Sequence, residues 1–267
     1  MSGDLTYGSY LRIPDLLSLQ QCRSVDPETG RPEHDETLFI VIHQVYELWF
    51  KQVLHELDEF CRHLNADAPS KGSHQLKRVL KILKTLVAQL DVLETMTPLE
   101  FASFRPFLES ASGFQSSQFR ELELLLGQFD VAHLDHIEHD PEDRERLERR
   151  LREPTVWDAF VRYLHRNGFD IPASVIERDV TLPLEPSAEV QATLVGIYRS
   201  NPALMEVCEL LTDFDEGFME WRYRHVMMVQ RTIGTKQGTG GSDGAAYLRT
   251  TIMRPAFADL WAIRTSF

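Results

Sequence analysis

The chain has 267 residues, of which 43% are hydrophobic and 26% are charged, a balance typical of a soluble globular protein. Its 28 basic and 41 acidic side chains give a formal net charge of −13, which argues against a nucleic acid as the partner because phosphate binding uses clustered lysine and arginine. No apolar run is long enough to cross a membrane and no signal peptide is visible, so we expect a cytoplasmic protein.

Helical periodicity is strong in the first half of the chain. From residue 35 to residue 64, apolar side chains recur at steps of four and three, which predicts one long helix. The first half of this helix is apolar almost all round, which predicts a place in the middle of a core. A second helix is expected from Ser73 to Met96. The sequence TPLE at 97–100 then has the form of a capping box with proline in the first turn.

The rest of the chain also favours helices and contains almost no strand pattern. A loop at 109–113 precedes a helix that ends at Gly127. Further helices, the first highly charged and solvated, are expected over 140–153, 155–167, 187–199 and 202–211, with 170–186 as a long connection. A last helix begins near Thr212 and ends at Gly234. The simplest interpretation is one all-α domain over 1–267, a bundle of long core helices.

Two histidines, His43 and His225, lie on the apolar stripes of strongly hydrophobic helices. A single histidine on such a face is most often a core residue whose ring bonds to a backbone carbonyl, and that interpretation stays open for each. Two of them on separate core helices favour a shared cavity, where a buried imidazole would suit the iron of a b-type haem. Phe39, one turn before His43, would form an apolar wall of that cavity.

Arg105 lies one turn after Phe101 in an otherwise aromatic segment. It is either an arginine that extends its head group to the surface or a guanidinium that binds a substrate carboxylate. Both interpretations stay open on the residues alone.

The glycine-rich sequence after Gly234 lacks the glycine and lysine spacing of nucleotide-binding loops. We expect either a mobile lid over 235–247, with the Thr239 hydroxyl available to a ligand, or a surface linker. At 130–139, three histidines and three acids stand close together, which favours a solvated helix end over a metal site.

Long motifs are spread over the whole chain. They are HDETLFIVIHQVYELWFKQVLHEL at 34–57, FRPFLESASGFQSSQFRELELLLG at 104–127, WRYRH at 221–225, GTGGSDG at 238–244, LTYGSYL at 5–11 and LWAIRTSF at 260–267. Together these motifs resemble the tryptophan 2,3-dioxygenase family, and they are too long for a chance match.

The resemblance implies an all-α haem protein that assembles as a homotetramer. Its haem b would be held through the iron by His225, and its substrates would be O₂ and L-tryptophan or a close indole amino acid. The reaction would insert both oxygen atoms across the C2–C3 bond of the indole and give N-formyl-L-kynurenine, a step of tryptophan catabolism.

The resemblance also implies roles for individual residues. His43 would be the catalytic histidine that hydrogen-bonds the indole N–H, with Phe39 against the indole ring. Arg105 would bind the substrate carboxylate, and Thr239 its ammonium and carboxylate end. The remaining substrate contacts would be Phe101 and, from the N-terminal segment 1–34 of a neighbouring subunit, Tyr10 and Leu11. Beside the haem would lie Ser112, Gly113 and Trp221.

Two positions depart from the family pattern. Phe101 stands where some members have tyrosine, and Asp243 stands where a serine is expected. Relatives that insert one oxygen atom, giving a 2-oxindole from tryptophan or a methylated analogue, provide the alternative activity. A haem-binding sensor and a purely structural helical protein are the alternatives without catalysis.

Overall fold

A computed structural model describes residues 4–128, 141–236, 238 and 245–267, and within these ranges it contains helices and no strand. In chain order the α-helices are α1 (Tyr7–Tyr10), α2 (Ile13–Leu17), α3 (His34–Asn65), α4 (Pro69–Leu93), α5 (Pro98–Phe104), α6 (Ser117–Leu125), α7 (Pro141–Arg150), α8 (Val156–Arg166), α9 (Ala173–Ile176), α10 (Ala188–Ser200), α11 (Pro202–Ile233), α12 (Ala245–Thr250) and α13 (Ala258–Ala262). Short 3₁₀ helices cover Arg105–Leu108, Gly113–Gln115 and Ile263–Ser266. The predicted all-α fold is confirmed. None of the described helices has the length and hydropathy that a membrane span requires.

Three long helices form the frame of the molecule. Helix α4 packs along α3 on one side and along α11 on the other, so that their apolar stripes share one core. Two glycines let the helices approach closely. A Cβ at Gly72 would come within 2.7 Å of the Phe60 ring, and one at Gly217 would come within 3.3 Å of Leu83. Larger residues at these points would push the three helices apart.

The C-terminal segment is fixed to α11 by the buried carboxylate of Asp215. It accepts hydrogen bonds from the backbone N–H groups of Ala256 (2.7 Å) and Phe257 (2.9 Å) and from the indole N–H of Trp261 (3.1 Å). Burial raises the Asp215 pKa, while these donors oppose the rise. Arg222 on α11 donates to the carbonyls of Thr251 and Arg254, which holds residues 251–254 beside the same helix.

Several predicted boundaries hold. Helix α3 is continuous as expected. The capping box at α5 is present, since Thr97 Oγ1 accepts from Glu100 N and Glu100 Oε2 accepts from Thr97 N. Gly234, at a φ of 63°, caps α11 with its N–H bonded to Gln230 O.

The predicted break before the last long helix is wrong. Helix α11 runs without interruption from Pro202 to Ile233, whereas the sequence pattern indicated two helices divided at Thr212. The Thr212 hydroxyl does not cap a new helix. It donates to the carbonyl of Cys208 one turn earlier, within a continuing helix. Because the same apolar stripe continues on both sides, packing overrides the local capping pattern.

Other expectations were partly wrong. Helix α3 was expected in the middle of the core, but two apolar side chains in its first half, Val41 and Leu48, are exposed. Helix α4 begins at Pro69 rather than Ser73, whose hydroxyl donates to the Pro69 carbonyl. Helix α7 is not merely solvated, since Leu147 on it is fully buried. The connection at 170–186 contains the short helix α9, and α1, α2, α12 and α13 were not predicted. The segment 130–139 lies outside the described residues.

Candidate functional site

A cavity opens between α3, α4, α5, α6 and α11. Of the residues singled out from the sequence, eight line it: Phe39, His43, Phe101, Arg105, Ser112, Gly113, Trp221 and His225. They come from three helices and from the segment between α5 and α6, so folding brings distant motifs to one place.

On α11, His225 is stacked on Trp221. The two rings are almost parallel, at 4°, with centroids 5.5 Å apart, and Trp221 stacks in turn on Phe218. His225 is half-buried and its open side faces the cavity. The surrounding protein lowers the pKa of His225 to about 4, chiefly through burial and to a smaller extent through His43. Near neutral pH the imidazole is therefore neutral and keeps a nitrogen lone pair.

On α3, His43 is fixed by the backbone of its own helix. Its Nδ1 lies 2.7 Å from the carbonyl oxygen of Phe39, and the two rings are 4.0 Å apart. Burial by the surrounding protein lowers the pKa of His43, against smaller opposing effects of the Phe39 carbonyl and of Glu47. His43 is nevertheless accessible to solvent, because it lines the open cavity. Since a carbonyl only accepts, Nδ1 carries the proton of the neutral ring, and Nε2 is left as an acceptor.

Helix α5 supplies an aromatic side of the cavity and Arg105. The Phe101 ring lies 5.9 Å from that of Phe39, and the buried Phe104 ring lies 5.5 Å from Phe39. The capping box at Thr97 sets the start of this short helix, so Phe101 and Arg105 are presented one turn apart. Arg105 stands at the junction with the following 3₁₀ helix and lines the cavity.

Ser112 and Gly113 form a turn at the cavity. Ser112 caps the 3₁₀ helix Gly113–Gln115, with its hydroxyl accepting from Phe114 N and its backbone N–H bonded to Gln115 Oε1. A Cβ built on Gly113 would meet no heavy atom within 4 Å. The backbone at Gly113 therefore borders open space inside the cavity.

Two of the other predicted residues, Tyr10 and Leu11, are not in this cavity. Tyr10 and Leu11 lie on the surface, with 70% and 43% of their area exposed, and α1 contains no buried residue. Thr239 lies outside the described residues, although Gly238 beside it lines the cavity.

Three buried charged side chains at the cavity were not predicted from the sequence. Arg120 and Glu123 on α6 and Arg222 on α11 all line it. Arg120 Nη1 donates to Glu123 Oε2, and Arg222 Nη2 lies 3.5 Å from Glu123 Oε1. The signal that could have found them is the placement of charge on the apolar faces of two helices, at positions where leucine or phenylalanine would be expected.

The fold and the cavity together define an all-α protein with an internal cavity, bounded by aromatic rings and two neutral histidines. Residues 1–166 and 185–267 match the family described as Tryptophan 2,3-dioxygenase. The chain belongs to the tryptophan 2,3-dioxygenase family, as its motifs predicted.

Relatives of that name align along almost the full chain. The protein named "Tryptophan 2,3-dioxygenase" from Herpetosiphon aurantiacus is 58% identical over 264 residues, which cover 99% of both chains. One of the same name from Anaeromyxobacter sp. (strain K) is 51% identical, covering 98% of this chain and 96% of its own. One from Myxococcus xanthus is 43% identical, covering 99% and 90%.

Proposed function

We propose that this protein is a haem-dependent dioxygenase that opens the indole ring of L-tryptophan with O₂ to give N-formyl-L-kynurenine, as a step of tryptophan catabolism. The observation that carries the proposal is that His225 and His43, from two long helices, face one aromatic cavity that Arg105 also lines. Membership of the tryptophan 2,3-dioxygenase family supports the same substrate and reaction.

The residues at the cavity fit a haem b. His225 would bind the iron, because a neutral imidazole is the form that ligates a metal. The open space beside Gly113 gives a flat group room to lie against the backbone near Ser112, and Trp221 would hold the His225 ring in position. When bound, the haem would supply the binding and activation of O₂ at its iron.

His43, Phe39 and Arg105 would bind and orient the substrate. The free lone pair of His43 Nε2 suits the indole N–H, and the Phe39 ring, 4.0 Å from the His43 ring, would pack on the indole. Phe101 would extend that apolar surface, and Arg105 would pair with the carboxylate through its two parallel N–H groups. Holding both ends of the amino acid would place the reacting ring in one orientation and exclude water from it.

The loop 235–247 would close the cavity. Gly238 lines the cavity, which supports a lid whose Thr239 contacts the ammonium and carboxylate end of the substrate.

We also propose a homotetramer in the cytoplasm. The exposure of Tyr10 and Leu11 supports an N-terminal segment that reaches the cavity of a neighbouring copy. All three cysteines are free thiols, which suits a reducing compartment.

The deciding experiment is the reaction of the haem-loaded enzyme with L-tryptophan under ¹⁸O₂, followed by mass spectrometry of the product. The proposal predicts N-formyl-L-kynurenine that carries two ¹⁸O atoms. A 2-oxindole with one ¹⁸O atom would establish the monooxygenase alternative instead. If expression with added haem gave no Soret band, the haem assignment would be wrong and a structural helical protein would be favoured.

A further inference from the structure

A second pocket, hereafter the outer pocket, lies between the turn that joins α4 to α5 and the last turn of α11. Thr95, Thr97 and Arg231 line it and are exposed, so the outer pocket opens to solvent. Met96 and Thr232 also line it, and both line the cavity of the candidate site, hereafter the central cavity. These two side chains, hereafter the partition, therefore stand between the central cavity and the solvent.

The two halves of the partition differ in how firmly they are held. Thr232 is fixed on α11, since its hydroxyl donates to the carbonyl of Met228 one turn earlier, at 2.9 Å. Met96 is 5% exposed, and its backbone N–H bonds to the carbonyl of Leu93. A methionine side chain is unbranched and flexible, and its rotation breaks no strong hydrogen bond. Met96 is therefore the half that can move.

Ion pairs hold the helices on either side of the outer pocket. Glu94 accepts from Arg231 at 3.1 Å and from Arg224 at 3.3 Å, and Arg224 also donates to Asp91 at 2.6 Å. These pairs connect the end of α4 to α11 beside the partition. Rotation of Met96 can thus open the partition while both helices stay in place, a side-chain motion that is fast compared with helix movement.

The lining becomes apolar from the outer pocket inward. The outer pocket carries charged groups, whereas Leu93, Phe101 and Val229 line the central cavity near the partition. The Phe101 ring lies 5.9 Å from the Phe39 ring, which in turn lies 4.0 Å from the His43 ring, so the partition leads to the side proposed for the substrate. A zwitterion would lose its hydration on this path, but an uncharged diatomic molecule would not.

We propose that the partition is a selective passage that admits O₂ to the central cavity and excludes the indole amino acid. The inference rests on the proposed dioxygenase function, in which two substrates of very different size share one cavity. An amino acid held by His43 and Arg105 fills the space beside Phe39. A separate passage through Met96 and Thr232 lets O₂ arrive while that substrate stays bound.

The experiment uses carbon monoxide as the probe, because it is a diatomic molecule that binds ferrous haem as O₂ does. Carbon monoxide is released by a laser flash from the haem-loaded, full-length protein saturated with L-tryptophan, and the second-order rate constant of its return from solvent is measured. Met96→Trp should lower this rate constant about fivefold, because added bulk in a packed constriction raises the barrier to passage. Met96→Ala, which widens the passage, should raise it by a similar factor.

Two further variants sharpen the test. Thr232→Phe narrows the same passage from the other helix and should act in the same direction as Met96→Trp. Met227→Trp is the matched control, since Met227 lies on α11, is 43% exposed and lines neither pocket, and it should leave the rate constant unchanged. The affinity for L-tryptophan, measured by titration of the Soret band, should stay the same in all four variants.

The outcomes separate this inference from the proposed function. Unchanged carbon monoxide kinetics in Met96→Trp and Met96→Ala would overturn the passage and leave the dioxygenase standing. A loss of L-tryptophan affinity that matched the slower kinetics would also overturn it, because the space would then belong to the substrate. If the protein gave no Soret band with added haem, both proposals would be wrong. A fold defect in Met96→Trp would lower the melting temperature, but it does not account for faster return in Met96→Ala.

Discussion

The hydrogen bond between His43 and the Phe39 carbonyl determines which imidazole nitrogen carries a proton. Nδ1 lies 2.7 Å from that carbonyl, and burial lowers the His43 pKa, so the neutral ring has its proton on Nδ1. A histidine held this way is an acceptor through Nε2. It can receive the indole N–H, but it cannot donate to it.

Replacing His43 should therefore lower kcat/KM only for substrates that carry an indole N–H. His43→Ala should lower kcat/KM for L-tryptophan roughly 10- to 100-fold, the usual loss from an unmade hydrogen bond. It should change kcat/KM for 1-methyl-L-tryptophan little, because that analogue has no N–H to donate. His63→Ala is the control, on the same helix but away from the cavity. Equal losses with both substrates would contradict the acceptor role.

Arg105 offers a second test at the scale of one side chain. Arg105→Met should raise KM for L-tryptophan about 10- to 100-fold by removing a charge-assisted pair, and should leave haem content unchanged. L-Tryptophanamide, which lacks the carboxylate, should bind the native and variant proteins alike. Steady-state kinetics and the Soret absorbance measure both effects. A variant with unaltered KM for L-tryptophan would show that Arg105 does not bind the carboxylate.

Among the helices, those with a long apolar period were predicted well. The errors arose where tertiary contacts determine whether a helix continues or ends. Helix α3 has a continuous stripe and was predicted whole. Helix α11 was predicted as two helices because Thr212 begins a capping-like sequence, and only its packing against α4 shows that the helix continues. Short helices such as α9 and α13 have too few turns for a periodic signal.

Helix α8 depends on a buried carboxylate at its first turn. Asp158 accepts from the backbone N–H and the hydroxyl of Thr155, and it is paired with Arg178 at 2.6 Å. Burial raises the Asp158 pKa, but the Arg178 and Thr155 contacts outweigh burial and lower it below the ordinary 3.8. Through Asp158, the first turn of α8 is held against the segment that follows α9.

Asp158→Asn should lower the free energy of unfolding by about 3 kcal/mol at pH 7, since it removes the charge partner of the Arg178 guanidinium, whose side chain is only 15% exposed. Because the folded pKa is below the unfolded value, the stabilisation is complete above pH 3.8 and is lost as pH falls through the folded pKa. Chemical denaturation across pH 2–7 should show the two proteins converging in acid. Glu206→Gln, which breaks an exposed pair with Lys77, should cost less than about 1 kcal/mol. A constant difference at every pH would contradict the linkage.

At the scale of the molecule, the site residues that could be predicted are those that visibly interrupt a local apolar or aromatic pattern. His43 and His225 stand out because a polar ring interrupts an apolar stripe, and Arg105 because it follows aromatic residues. The buried group of Arg120, Glu123 and Arg222 was not predictable, because Arg120 and Glu123 resemble an ordinary i,i+3 surface pair. The third member, Arg222, lies on another helix, and only the folded chain brings its guanidinium to Glu123.

The N-terminal arm, residues 4–18, is the part of the molecule least explained by a single chain. Its helices α1 and α2 contain no buried residue, and Tyr7, Tyr10 and Leu17 are largely exposed. Apolar side chains left on the surface in this way favour contact with another molecule. We expect the arm to complete the cavity of a neighbouring copy.

The arm can be tested by complementation between two chains with different defects, one in the arm and one in the cavity. The double variant Tyr10→Ala/Leu11→Ala should retain haem and raise KM about 10-fold or more, because it removes apolar surface that would pack on the substrate. A His225→Ala chain should keep its arm but lose haem. If the arm acts on a neighbouring copy, co-expressing the two chains should restore native KM at about a quarter of the sites, those that pair an intact cavity with an intact arm. Chains mixed after separate purification, without exchange of subunits, are the control. No recovery on co-expression, in oligomers shown by native mass spectrometry to contain both chains, would place the arm's action within its own chain.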